Sequence, residues 1–184
     1  MHVAQISMVV GVIGLSACSF ARGGDTCVER TYAAYARGQR DWQTTLARMI
    51  AARRPDLAEV SDISRRLQLA LVERSKLRLA RLSDHDPGRL AAVRTISQSL
   101  DSSLAWSESD ERNLGESDEH FAELESQILS LRLVSDRHPD WGRLRNYFVT
   151  ELSDDDEYRE AHERFEQVRR QADSLLLTCR STRE

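Results

Sequence analysis

An all-α fold, an elongated up-and-down bundle of heptad-patterned antiparallel helices, is predicted by three features of this 184-residue chain. Apolar residues recur at alternating steps of three and four over long stretches, the spacing by which a helix buries one stripe against a neighbour. Runs of Val, Ile and Thr with strand-like alternation are absent after residue 20. The chain has only three prolines and eight glycines, five of the glycines at or before Gly38, so few positions interrupt a helix.

The first helix is expected to start at Cys27. Its stripe runs through Val28, Tyr32, Tyr35, Gln39, Trp42, Leu46 and Met49. Over about 27 residues it would be ~40 Å long. Gln39 is the one polar member, a residue type that can fix register. Arg54-Pro55-Asp56 ends the helix, because proline disfavours helix in the residue before it and suits the first turn of the next. Asp56 and Glu59 have capping-box spacing. The second helix, about 56 to 83, shows Leu57, Val60, Ile63, Leu67 and Leu71, with Leu69, Val72 and Leu79 widening the face. A face that wide predicts two neighbours.

Asp84-His85-Asp86-Pro87-Gly88 breaks the second helix, and Asp86 is a good cap for a third. That helix is expected to reach about Trp106, with Leu90, Val93, Ile96, Leu100 and Leu104 on one side. Residues 107–120, SESDERNLGESDEH, are acidic, contain a glycine and read as an exposed loop. Phe121, Leu124, Ile128, Leu131 and Ser135 resume the stripe up to Arg137-His138-Pro139-Asp140. A short helix follows with Trp141, Leu144 and Phe148. Ser153 to Glu157 then place a cap and negative charge at the positive end of the last helix. Its stripe is Tyr158, Ala161, Phe165, Val168, Ala172, Leu175 and Cys179. The shared R-x-P-D of Arg53–Leu57 and Arg137–Trp141 reflects common turn chemistry, since the flanking similarity is poor.

Charge is unevenly distributed. The net charge is −4, yet residues 19–99 carry 15 basic and 9 acidic side chains, and residues 100–184 carry 11 and 21. Two antiparallel halves that neutralise each other explain this; the alternative is a two-faced surface that steers a charged partner. Arginine outnumbers lysine 25 to one, which reflects genomic base composition, and a negative balance argues against nucleic acid as a partner.

The N-terminus carries the clearest functional signal. Met8 to Ala17 are almost wholly apolar, a run too short to span a bilayer, which needs ~20 residues, but suited to a secretory signal. Leu15-Ser16-Ala17-Cys18 resembles the lipobox of bacterial lipoproteins, a resemblance confined to residues 1–18. It implies cleavage between Ala17 and Cys18 and acylation of Cys18. The alternatives are an uncleaved anchor or a buried strand with a bystander cysteine. The expected organisation is a signal peptide at 1–17, a lipidated tether at 18–25 and one helical domain at 26–184. The resemblance further implies attachment to the bacterial cell envelope. Ser19, in place of a retention-type aspartate, points to the outer membrane facing the periplasm.

Cys27 opens the first long helix and Cys179 closes the last. Antiparallel packing would bring the two to one end, and an exported protein occupies an oxidising compartment, where such a pair forms a disulfide. Two separate buried thiols are the alternative. Little else suggests chemistry. His162-Glu163-Arg164-Phe165-Glu166 begins like a zinc-protease helix, but Glu166 occupies the place of the second histidine. A di-iron bundle needs Glu three residues before His, where this chain has Ser117, Ser135 and Arg159. Asp154-Asp155-Asp156 and the acids around Asp110 and Asp118 lack the spaced ligands of a calcium loop. Tyr32, Tyr35, Trp42 and Phe165 read as core. No metal or cofactor is expected.

The functional expectation is a non-catalytic lipoprotein, a membrane-tethered bundle that binds or spaces other envelope proteins. Its tail, STRE, lacks the terminal lysine that couples the small murein lipoprotein to peptidoglycan. The candidate partner surface is Glu108, Asp110, Glu111, Glu116, Asp118 and Glu119. An envelope enzyme or small-ligand carrier is the alternative, and it requires a pocket lined by Tyr32, Tyr35, Gln39 and His162.

Overall fold

The computed structural model of the chain describes residues 26–93, 95–96 and 104–181. The leader and tether expected at 1–25, Cys18 included, lie outside the described residues, as does Leu100. Among the described residues the chain forms helices α1 (Cys27–Arg53), α2 (Ala58–His85), α3 (Pro87–Ala91), α4 (Glu108–Ser117), α5 (Glu119–Arg137), α6 (Trp141–Thr150) and α7 (Asp156–Ser181). Single 3-10 turns at Pro55–Leu57 and Leu152–Asp154 join α1 to α2 and α6 to α7. The fold is an all-α bundle, as the periodicity predicts.

A tight hairpin of α1 and α2 forms its centre. Helix α7 packs along the other side of α1, and α5 along the other side of α2. Both central helices therefore bury two faces, as the broad apolar face of α2 predicts. The antiparallel sense of α1 and α7 is fixed at both ends. Cys27 and Cys179 are bonded at one, and Arg53 pairs with Asp155 and Glu157, each at 2.9 Å, at the other.

The core divides into three clusters. Val28, Tyr32, Ala36, Val72, Leu79 and Leu176 join the segment after α2 at the disulfide end. Leu46, Met49, Ile50, Leu57, Val60 and Leu144 fill the opposite end, where α6 closes over the α1–α2 turn. Ile63, Ala70, Leu124, Ile128 and Leu131 seal α2 against α5.

Four expectations are corrected. The third helix stops at Ala91, although Val93, Ile96 and Leu104 are buried as its stripe requires. Thr95 Oγ1 and the Ile96 N–H both donate to Asp173 Oδ1 of α7, at 3.0 and 2.9 Å. At Ile96 a side chain takes the bond that a helical carbonyl would have accepted, so Val93 and Ile96 are buried outside a helix, whereas Leu104 is helical.

Residues 107–120 are not a loop. Ser107 and Asp110 form a capping box that starts α4, and Asp118 accepts from the Phe121 N–H at 3.0 Å to start α5. The acids that read as solvated are helix-starting groups, favoured where N–H groups point outward. Conversely, Asp56 caps nothing. The start of α2 has no side-chain cap, and Asp56 pairs instead with Arg54 and Arg143. Lastly, Leu175 is 51% exposed, and Leu176 takes its place in the core. A strict three–four repeat slips about 20° per heptad around a straight helix, enough to change which leucine faces inward by the end of α7.

Candidate functional site

The densest polar constellation lies where α2, α4 and α5 meet. The stripe of α2 that faces α5 begins with Ile63, Leu67 and Leu71 and continues at helical spacing into Arg74 and Arg78. These arginines are 8% and 5% exposed. Arg78 Nη2 donates to both carboxylate oxygens of Glu111, at 2.9 and 2.7 Å, and its guanidinium lies 5.3 Å from the Trp106 ring centroid. The Trp106 Nε1–H donates to the same carboxylate. Glu125 of α5 completes the group, 3.6 Å from Arg74 Nε and 4.0 Å from Arg78 Nη2. Burial pushes the Glu125 carboxyl up; Arg74 pulls it back, and the neighbouring Glu111 carboxylate pushes it up again. Two carboxyls and two guanidinia thus share one half-buried junction, an arrangement that neutralises charge and fixes α4 in place.

The six nominated carboxylates separate into two sets. Asp110 accepts from Arg89 Nη1 and Nη2 at 3.1 and 2.9 Å and from the Ser107 N–H at 2.9 Å. Its pKa lies far below the usual carboxylate range, chiefly through Arg89 and then through Ser107. Glu111 is held by Arg78 and Trp106, and Asp118 caps α5. Only Glu108, Glu116 and Glu119 are exposed, and Arg112 sits four residues from both Glu108 and Glu116. Sequence reasoning missed the partners Arg74, Arg78, Arg89 and Glu125. The available signal was the arginine pair that extends an apolar stripe at helical spacing.

Pairing across the chain explains the charge asymmetry. Arg53, Arg54, Arg74, Arg78 and Arg89 of the first half pair with Asp155, Glu151, Glu125, Glu111 and Asp110 of the second. This is the neutralisation of antiparallel halves that the sequence predicts.

The other nominated residues line the α1–α7 seam. Cys27 and Cys179 form a disulfide with Cα atoms 5.6 Å apart. Below it runs a ladder of rings. Tyr35 is 6.2 Å from Phe165; Phe165 stacks on Trp42 at 5.7 Å; Trp42 meets His162 edge-on at 5.5 Å; and His162 stacks on Tyr158 at 5.7 Å. His162 Nε2 is 3.7 Å from Glu166, so it acts as one ring of the ladder. Tyr32 turns the other way and donates to the Val72 carbonyl at 2.9 Å. Of the residues required for a ligand pocket, Tyr35 and His162 belong to the ladder, and Tyr32, bonded to α2, keeps its ring 5.9 Å from that of Tyr35.

Surface grooves border several of these residues, one of about 310 Å³ lying between α4 and α5 beside Glu108, Glu111 and Arg112. A second, of about 530 Å³, runs between α1, α2 and α4, bordered by Glu29, Tyr32, Lys76, Arg81 and Leu114. Another of about 230 Å³ follows the aromatic seam beside Gly38 and Trp42. No group of three metal-ligating side chains occurs among the described residues, and none of the described helices is long and apolar enough to cross a membrane. Comparison with protein-family models, curated proteins and solved structures gives no match.

Proposed function

We propose that the chain is a non-catalytic lipoprotein of the bacterial cell envelope. In this reading an acyl group on Cys18 tethers the helical bundle to a membrane, where it binds or spaces other envelope proteins. The disulfide is the observation that carries the reading. Bonds of this kind persist in exported proteins and are rare where thiols are kept reduced, and Cys27 lies nine positions after the cysteine of the lipobox-like stretch. Together, Leu15-Ser16-Ala17-Cys18 and the bonded pair describe one route: export, cleavage, acylation and oxidation. The outer membrane facing the periplasm is the favoured site, on the identity of Ser19. The staple would hold the bundle end nearest the lipid, and rigid helices of 27 and 28 residues would project surfaces away from it.

The test is an accurate mass of the protein purified from membranes, with and without reductant. The expected species begins at Cys18, carries acyl groups and gains two hydrogen atoms on reduction. A chain that retains Met1 without modification overturns the proposal.

A further inference from the structure

Helix α5 carries a second stripe that the bundle leaves uncovered. Phe121, Leu124, Ile128, Leu131 and Ser135 face inward. On the opposite side Ala122, Ser126, Leu129 and Leu133 follow one another at steps of four, three and four, all in solvent. Leu129 is 61% exposed, Leu133 is 47% exposed and Val134, beside them, is 48% exposed. Isolated surface leucines need no explanation, but a continuous stripe at heptad spacing on a 19-residue helix has the form of a helix-packing face.

Charge at the two ends of the stripe limits what can cover it. Glu119 lies at its N-terminal end and Arg137 at its C-terminal end, and five helical turns between them bring both to the same side of the helix axis. Both are exposed, and neither makes an ion pair with another of the described residues. Other surface charges do pair locally: Arg65 with Asp62, Arg164 with Glu160 and Arg169 with Glu166.

We propose that a second copy of this chain covers the stripe, with the two α5 helices antiparallel about a two-fold axis. A single register satisfies packing and charge together. Leu133 then stands over the partner's Ala122, Leu129 over the partner's Ser126, and Glu119 beside the partner's Arg137. Large residues meet small ones at every layer, and symmetry repeats each contact. A parallel pairing would set Glu119 against Glu119 and Arg137 against Arg137. One helix pair sits at the low end of specific interfaces, near ~1,000 Å², so the dimer should be reversible with Kd on the order of 10 µM. The inference rests on α5 alone and does not depend on the lipoprotein reading.

Sedimentation equilibrium of the oxidised full chain in a density-matched nonionic detergent, from about 1 µM to about 1 mM, measures the association. Three variants sharpen it. Leu129→Asp with Leu133→Asp should abolish dimerisation while circular dichroism and melting stay unchanged, because both side chains lie in solvent. Glu119→Arg and Arg137→Glu should each weaken association by about tenfold, since each creates two like-charge contacts per dimer. An equimolar mixture of those two single variants should recover it, because opposite charges then meet at both ends. A chain that remains monomeric over the whole range overturns the proposal. So does association that survives the double aspartate variant, or a mixture that recovers nothing.

Discussion

Helices α7 and α5 flank the same α1–α2 hairpin but are attached by opposite means. The α7 seam is covalent and aromatic. It carries the disulfide, the ring ladder and a close approach at Gly38, where an added Cβ would lie 2.6 Å from Val168 Cγ1. The α5 seam combines an aliphatic cluster with Arg74 and Arg78, nearly excluded from water, and depends on the carboxylates of α4 and α5 to neutralise them. The disulfide and the stacked rings depend little on pH and salt, and the far end of this first seam adds ion pairs, from Arg53 to Asp155 and Glu157. The α5 seam is conditional, because buried ions help only while every partner is present and in the right protonation state. The α7 seam is therefore expected to hold under conditions that loosen α4 and α5.

The largest expected effect breaks the covalent side. Cys179→Ser opens a loop spanning 152 positions and should cost ~5 kcal/mol in the chain-entropy account, measured by urea unfolding of the oxidised protein. Wild-type protein under reductant should approach the variant. An unchanged unfolding midpoint would mean that the staple contributes nothing beyond what the ring ladder supplies.

Next in size is the ionic side. Arg78→Leu keeps apolar bulk but strips Glu111 of its bidentate partner, and should cost about 3 kcal/mol. Hydrogen exchange should locate the loosening in α4 and α5 and leave α1 and α7 protected. Uniform loosening across all helices would erase the contrast between the two seams.

The smallest effect concerns pH. Asp110 is held below its ordinary value of 3.8 by Arg89 and the Ser107 cap. The stability it supplies is therefore present above that value and lost as pH falls through the lower, folded one. Glu125 has the opposite sign. Its carboxyl is raised by burial, so its contribution is present at acid pH and lost as pH rises through its folded value. Asp110→Asn should flatten the acid limb of the stability curve below about pH 4 while shifting neutral stability by only ~1 kcal/mol, the scale of a helix cap. An acid limb as steep as that of the wild type would assign the loss to other carboxylates.

Most of the bundle was legible because its information is local. The step of three and four residues, the R-x-P-D turns and the cap at Asp86 depend on neighbours a few positions away. They located α1, α2, α5, α6 and α7 to within a few residues. The cysteine pairing needed only the antiparallel sense of the first and last helices. Residues 107–120 were misread because an acidic run has the same composition whether it is solvated or starting helices; only the geometry of Ser107, Asp110 and Asp118 distinguishes the two. The third helix was misread because its stripe records burial, and Asp173, 77 positions from Ile96, decides how the backbone there is satisfied.

By itself, then, the sequence determined helical periodicity, the positions of the turns, the charge imbalance between the halves and the two cysteines that would meet. Tertiary structure alone decided that Arg74 and Arg78 are buried, that Asp110 and Glu111 are bound inward while Glu108, Glu116 and Glu119 face solvent, and that Leu129 and Leu133 are left uncovered. The physical reason is that a stripe on one helix specifies a face to be buried but not its partner. That partner is chosen when several helices compete for the same two central ones.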